Sequence, residues 1–136
     1  MILADTSAWI EYDRATGSAV DQRITALITS DGPLVVTEPV LMEAAARAST
    51  TEQADALRRL MLRGGLLTFE ATTDFDAAAL IYRRCRAAGI TPRGMIDCLI
   101  AAVAWRTGAA LLRRDVDLER VAAVVGIALD EASTLS

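Results

Sequence analysis

The chain has 136 residues, a net charge of −4 and a pI near 4.8, with 53% hydrophobic and only 4% aromatic residues. That length suits one domain spanning 1–136, with a core of Ala, Val, Leu and Ile. No apolar run approaches the roughly 20 residues of a membrane span, and the acidic balance excludes a grip on nucleic acid through overall charge, though not a local basic rim.

Ile2-Leu3-Ala4 is a short apolar run that ends abruptly in Asp5-Thr6-Ser7. It reads as a buried strand that delivers a carboxylate to its C-terminal end, the edge where ligands sit in open α/β sheets. No charged segment precedes the run, so a strand is expected rather than a signal peptide. Residues 7–14 follow as a helix with Ser7 as N-cap, and Gly17-Ser18 separates them from a helix over 18–29. There Val20, Ile24, Leu27 and Ile28 recur at helical spacing until Asp31-Gly32-Pro33 stops the pattern. Leu34-Val35-Val36, β-branched and bounded by a turn, is a second buried strand.

Thr37 and Pro39 open a third helix, which carries Glu43 among apolar neighbours and ends near Ala48. Residues 54–63 form a fourth, closed by Gly64-Gly65. Residues 66–69 read as a third strand, and Thr73-Asp74 caps a longer helix that ends at Gly89. A loop over 90–94 holds Pro92 and Arg93, and the strongly apolar helix 95–106 contains a lone acid, Asp97. Beyond Gly108, residues 109–112 form a fourth strand leading into Arg113-Arg114-Asp115-Val116-Asp117. A short helix over 118–123 and a last strand over 125–129 precede a tail without pattern. Strands alternating with helices, with no linker or repeat, predict an α/β domain with a mostly parallel central sheet flanked by helices on both faces.

The sequence has no histidine and no lysine, and all 14 positive charges are arginine. Ser-His and Cys-His nucleophiles, His-ligated zinc, the P-loop lysine and Schiff-base chemistry are therefore excluded. Arginine suits phosphate recognition, while a compositional bias toward Arg and Ala accounts for the same usage. Arg58, Arg59, Arg63, Arg83, Arg84, Arg86 and Arg93 are either a phosphate-contacting rim or solvated helix faces. The two cysteines, Cys85 and Cys98, make no disulfide framework and point to a reducing cytoplasm.

What chemistry remains rests on acids. Asp5 is either a strand-end ligand or a helix cap. Glu43 is either buried on an apolar helix, where it needs a partner or a metal, or turned outward to Arg47 one turn on. Asp97 stands alone on a helix apolar on nearly every side, which marks a site, although the helix dipole also favours an acid there. Asp115 and Asp117 can face one ligand, and Asp117 is equally a ready N-cap. Acids from four separate segments, without a His or Cys cluster, suit a hard cation with oxygen ligands, Mg²⁺ or Mn²⁺. Without one they would repel each other. The implied reaction is phosphodiester hydrolysis by a metal-activated water.

Four stretches in order carry a resemblance: Asp5-Thr6-Ser7-Ala8-Trp9, Glu43 in its apolar helix, Asp97 before Leu99-Ile100-Ala101-Ala102, and Leu111-Leu112-Arg113-Arg114-Asp115-Val116-Asp117. Together they resemble the PIN-domain ribonucleases, and among these the VapC toxins of bacterial toxin–antitoxin pairs. The resemblance implies a PIN-like α/β fold and a Mg²⁺- or Mn²⁺-dependent endoribonuclease acting on tRNA or rRNA. It also implies a homodimer inhibited by a small VapB-like antitoxin. By the same resemblance Asp5, Glu43, Asp97 and Asp115 form an acidic metal-binding quartet, with Thr6 as its hydroxyl neighbour and Asp117 as an auxiliary acid.

One position departs. Arg113 stands where the family commonly has a Thr or Ser that supports the acids, and two roles stay open for it, pairing with a site acid or reaching an RNA phosphate. Two other function classes compete with the ribonuclease. One is another Mg²⁺-dependent phosphoryl-transfer enzyme, disfavoured by the missing lysine and Asp-x-Asp motif; the other is a catalytically silent binding module.

Overall fold

The computed structural model describes residues 1–134. Its central strand, β1 (Ile2–Ala4), is buried at every position, as an apolar strand covered on both faces must be. It pairs in parallel with β2 (Leu34–Val35) and β3 (Ala110–Leu112), giving the order β2-β1-β3. Leu3 lies opposite both Val35 and Leu111. One further parallel bridge extends each edge, Val36 with Leu66 and Leu111 with Leu129.

Those bridges are all that remains of the strands expected over 66–69 and 125–129. Along the first, side chains take the backbone groups a strand would have paired: Phe69 N–H donates to the Glu38 carboxylate at 2.9 Å, and the Thr68 carbonyl accepts from Arg106 at 2.8 Å. The second is shortened because the preceding helix continues to Val125 before Gly126 turns it off in a left-handed conformation.

Helices α1 (Thr6–Asp13) and α2 (Ala19–Thr29) connect β1 to β2. Helices α3 (Glu38–Arg47) and α4 (Thr51–Met61), a 3₁₀ turn (Leu62–Gly64), α5 (Ala71–Ala87) and α6 (Met95–Thr107) lead from β2 to β3. After β3 come α7 (Val116–Val125) and a 3₁₀ turn (Glu131–Thr134). Several N-termini differ from expectation because a different side chain caps them. Asp5 rather than Ser7 caps α1, Thr50 brings the start of α4 forward, and Asp115 rather than Asp117 caps α7. Helix α5 begins at Ala71, ahead of the expected Thr73-Asp74 cap, because Asp74 reaches back to the Glu70 N–H at 2.8 Å and pairs with Arg106 at 2.9 Å.

From β1 the chain crosses to one neighbour, β2, and then returns past β1 to the other, β3. Along the way α1 packs on α2 and α5 packs on α6. The winding therefore reverses between β1 and β3, and a crevice opens beyond their C-terminal ends. Asp5 N–H donates to the Leu112 carbonyl at 3.0 Å, which carries the parallel ladder up to that crevice. The buried side chains form one hydrophobic cluster that includes β1 and the inner faces of α2, α6 and α7. Among the described residues no helix is long and apolar enough to cross a membrane.

The 3₁₀ turn runs so close to β2 that a Cβ on Gly64 would sit 1.7 Å from the Leu34 carbonyl oxygen. Gly64→Ala is expected to lower unfolding free energy by about 3 kcal/mol or more, since backbone rather than a side chain must move. Gly94→Ala, where a Cβ meets nothing within 4 Å, should stay within about 1 kcal/mol of the parent. Urea denaturation of the two variants checks the contrast.

Candidate active site

Asp5, Thr6 and Ser7 occupy the turn from β1 into α1, and each does a different thing. Asp5 is 3% exposed, and its Oδ1 accepts from the Ala8 N–H at 3.1 Å and from the Ser7 hydroxyl at 2.7 Å. Thr6, also buried, donates its hydroxyl to Glu43 Oε1 at 2.5 Å and so holds α3 against the start of α1. Ser7 Oγ accepts from the backbone N–H groups of Arg114 and Asp115 at 2.8 and 3.0 Å. A hydroxyl offers one proton and two lone pairs, so with both lone pairs occupied the Ser7 proton is committed to Asp5. One tripeptide thus fixes Asp5 and ties it to Glu43 on α3 and to Asp115 beyond β3.

Asp97 enters from the first turn of α6, and among the described residues nothing donates a hydrogen bond to its carboxylate. Asp115 caps α7 by accepting from the Asp117 N–H at 2.9 Å. Arg93, from the loop before α6, lies 3.6 Å from Asp115 Oδ2 and 2.9 Å from Asp117 Oδ2. The acids feel one another. Burial pushes Asp5 up to about 7, against the pull of its two donors and with help from Asp97 and Asp115. Burial likewise pushes Asp97 up to about 6, reinforced by Asp115, Glu43 and Asp117 and opposed by Arg93. The four expected acids and Asp117 are therefore one electrostatic unit at the crevice between β1 and β3.

Arg113 takes neither of its two expected roles. It is 3% exposed, and its guanidinium turns away from the acids to the Ser133 carbonyl at 2.7 Å, the Arg114 carbonyl at 3.1 Å and Glu119 at 2.8 Å. It packs the C-terminal turn against β3. The residue that sequence reasoning undervalued is Ser7, read as a helix cap when the cap is Asp5. The only local signal was a hydroxyl two residues after a strand-end acid; the Arg114 and Asp115 N–H groups that orient it are far away in sequence. Cys98, next to Asp97, is fully buried, and burial together with Cys85 pushes its thiol up to about 11, so it belongs to the core.

The donor set can be weighed against possible cations. Zinc is a poor match, with no histidine in the chain and both thiols buried. Among the described residues no three acids already converge on one point as a preformed cage would require. Mg²⁺ asks for less: one or two carboxylates directly, several retained waters and the substrate's phosphate. Carboxylates that lie within each other's field, one of them without a donor, fit such an ion.

Comparison with known proteins bears on the fold and the family. The PIN domain family profile matches residues 2–124. The chain is 41% identical over 128 residues to Ribonuclease VapC11 of Mycobacterium tuberculosis, covering 93% of this chain and 96% of that protein. It is 34% identical over 138 residues to Ribonuclease VapC32 of the same species, covering 96% and 98%. Among solved structures, VapBC2 from Rickettsia felis bound to a DNA fragment from its promoter superposes with a TM-score of 0.72 at 18% identity, over 96% of this chain and 98% of that one. FitAcB from Neisseria gonorrhoeae gives 0.66 at 17% identity, over 97% and 98%. At these identities the structural likeness speaks for the fold.

The raised carboxyls have a consequence for stability. Asp5 and Asp97 titrate near 7 and 6 in the folded protein and near 3.8 once unfolded, so between those values the native state holds more protons. Stability then falls as pH rises through this window. The metal-free protein should show a denaturation midpoint that climbs as pH is lowered from 8 to 5, with a flatter profile in Asp5→Asn. Asp74, held below the usual carboxylate range by Arg106 and the Glu70 N–H, acts outside the window. A profile that is flat or falls toward pH 5 in the parent contradicts this account.

Proposed function

The chain belongs to the PIN domain family and to its VapC-type ribonucleases, and on that premise we propose that residues 1–136 act as one PIN domain, a Mg²⁺- or Mn²⁺-dependent endoribonuclease toxin. The observation that carries this reading is the Asp5-Thr6-Ser7 turn, which links three acids from distant segments at the β1–β3 crevice. The reaction is attack of water on the phosphorus of an RNA phosphodiester, with the ribose oxygen leaving from the opposite side. We take tRNA or rRNA as the substrate.

Asp5, Glu43, Asp97 and Asp115 would hold the ion. Bound there, it would acidify a water and offset the charge building on the phosphate. The chain's own part is positional. Ser7 keeps Asp5 and the Asp115 loop at fixed separation, Thr6 keeps Glu43 against them, and Asp97 offers a carboxylate to which none of the described residues donates a hydrogen bond. Asp117 supports Asp115 from the first turn of α7. Close packing of β1 and β3 lets these groups keep their places while a substrate binds.

A partner fits the same end of the molecule. A groove of about 490 Å³ between α1, α3 and α4 begins at Thr6 and is lined by Trp9, Ile10, Ala44, Leu57 and Leu60. An amphipathic helix can lay its apolar face into such a groove, and we assign it to a small VapB-like antitoxin. Exposed Met42, Phe75 and Met95 add apolar surface of the kind that a homodimer covers. We place the protein in the cytoplasm, with both cysteines free.

Purified protein should cleave RNA with Mg²⁺ or Mn²⁺, lose the activity in EDTA and regain it when the ion is restored. Asp5→Asn and Asp97→Asn should each lower kcat by at least about a hundredfold while circular dichroism shows a retained fold. Undiminished cleavage by both variants, or cleavage that persists in EDTA, overturns the assignment. In a co-expression pull-down with a small VapB-like antitoxin that the parent captures, Leu57→Arg should release that partner, and capture at the parental level rules the groove out.

A further inference from the structure

Arg93 has an unusual set of neighbours. It stands in the loop between α5 and α6 with its side chain 74% exposed, and its ion-pair partners are Asp115 and Asp117. The other arginines at this end are committed elsewhere: Arg114 to Glu11 at 3.2 Å, and Arg113 to Glu119 and the C-terminal turn. Arg93 is thus a cation that leans from solvent onto the acids themselves. A guanidinium carries five N–H donors in a planar fork, and Arg93 approaches the acids through Nε and Nη1. An exposed ion pair is weak, so this one exchanges readily.

We propose that Arg93 is a substrate-binding residue with two alternating partners, the carboxylates of Asp115 and Asp117 in the free protein and an RNA phosphate once a divalent cation has taken those carboxylates. This rests on the metal-dependent ribonuclease reading above. In the free protein the guanidinium offsets charge that would otherwise repel neighbouring acids. It also competes with the cation for the same oxygens. When the cation binds, Arg93 loses its partners just as a phosphodiester arrives, and its fork matches phosphate geometry. The two roles have opposite signs: removing Arg93 favours the cation and disfavours the RNA. A merely structural arginine would weaken both.

The test measures the two affinities separately. Mn²⁺ binding to RNA-free protein is followed by loss of the free-ion EPR signal, and KM and kcat for RNA cleavage are measured at saturating Mn²⁺. Arg93→Gln should bind Mn²⁺ more tightly, by up to roughly fivefold, and should raise KM by a similar factor or more with a smaller change in kcat. Arg93→Lys, which keeps the charge but not the fork, should fall between parent and Arg93→Gln in both. Mn²⁺ binding that is unchanged or weaker in Arg93→Gln overturns the competition, and an unchanged KM overturns the phosphate contact. A parent protein that neither binds Mn²⁺ nor cleaves RNA overturns both this proposal and the ribonuclease reading. A parent that does both while Arg93→Gln behaves identically overturns the Arg93 proposal alone.

Discussion

A carboxylate buried at the end of the central strand is the constraint from which the site's architecture follows. Asp5 has almost no contact with water, and Asp97 and Asp115 lie close enough to make its ionisation harder still. A charge in that position is tolerated only when donors surround it. The chain provides them locally, from the Ala8 N–H and the Ser7 hydroxyl. Because Ser7 Oγ also receives two N–H groups from the Arg114–Asp115 backbone, the same bonds that stabilise Asp5 fix its distance from the loop after β3. Stabilising one acid and assembling the group are therefore a single event.

The parallel sheet makes this assembly possible. Parallel strands deliver all their C-terminal ends to one edge, and helices begin there with free N–H groups and positive dipole ends. Asp5 caps α1, Asp115 caps α7, and Asp97 sits in the first turn of α6. Capping and membership of the site are not rival explanations for these residues. An acid at a helix N-terminus keeps its charge at lower cost, and three helices starting around one crevice let three acids approach each other without unfolding the protein. Glu43 lies in the body of α3 instead, and its anchor is correspondingly different, the side chain of Thr6.

Much of this was legible in the sequence, and the exceptions have specific causes. The order of strands and helices followed from period and punctuation, since Asp31-Gly32-Pro33 and Gly108 interrupt apolar runs that need no tertiary information to recognise. The edge segments at 66–69 and 125–129 have strand-like composition, yet each keeps a single bridge. Glu38 and Arg106, distant in sequence, claim the backbone of the first, and propagation of α7 consumes the start of the second. The acids could be picked out individually because each occupies a position where a solvated face is a poor explanation. Their mutual field could not, since it depends on burial and on hydroxyl orientation. For the same reason Ser7 looked like an ordinary cap: a hydroxyl's direction is decided by the backbone groups that reach it, here from more than a hundred residues away.

Arg113, the position that departs from the expected pattern, is held apart from the acids. The guanidinium found there is buried against Glu119 and Ser133. The backbone is the part that stays in place. Arg113 N–H donates to Ser133 Oγ at 2.9 Å, and that hydroxyl donates in turn to the Leu111 carbonyl at 3.1 Å, so the C-terminal turn is stitched along the end of β3. Among the described residues the Arg113 Nε has no acceptor, a cost of about 1–3 kcal/mol that the ion pair with Glu119 and the two carbonyl contacts offset. What steadies the loop to Asp115 is Ser7, from across the β1–β3 pair, together with the Ser133 stitch behind it. Hydroxyl support for the acid cluster thus comes from Ser7, just beyond the strand that carries Asp5, while Arg113 serves the C-terminal turn.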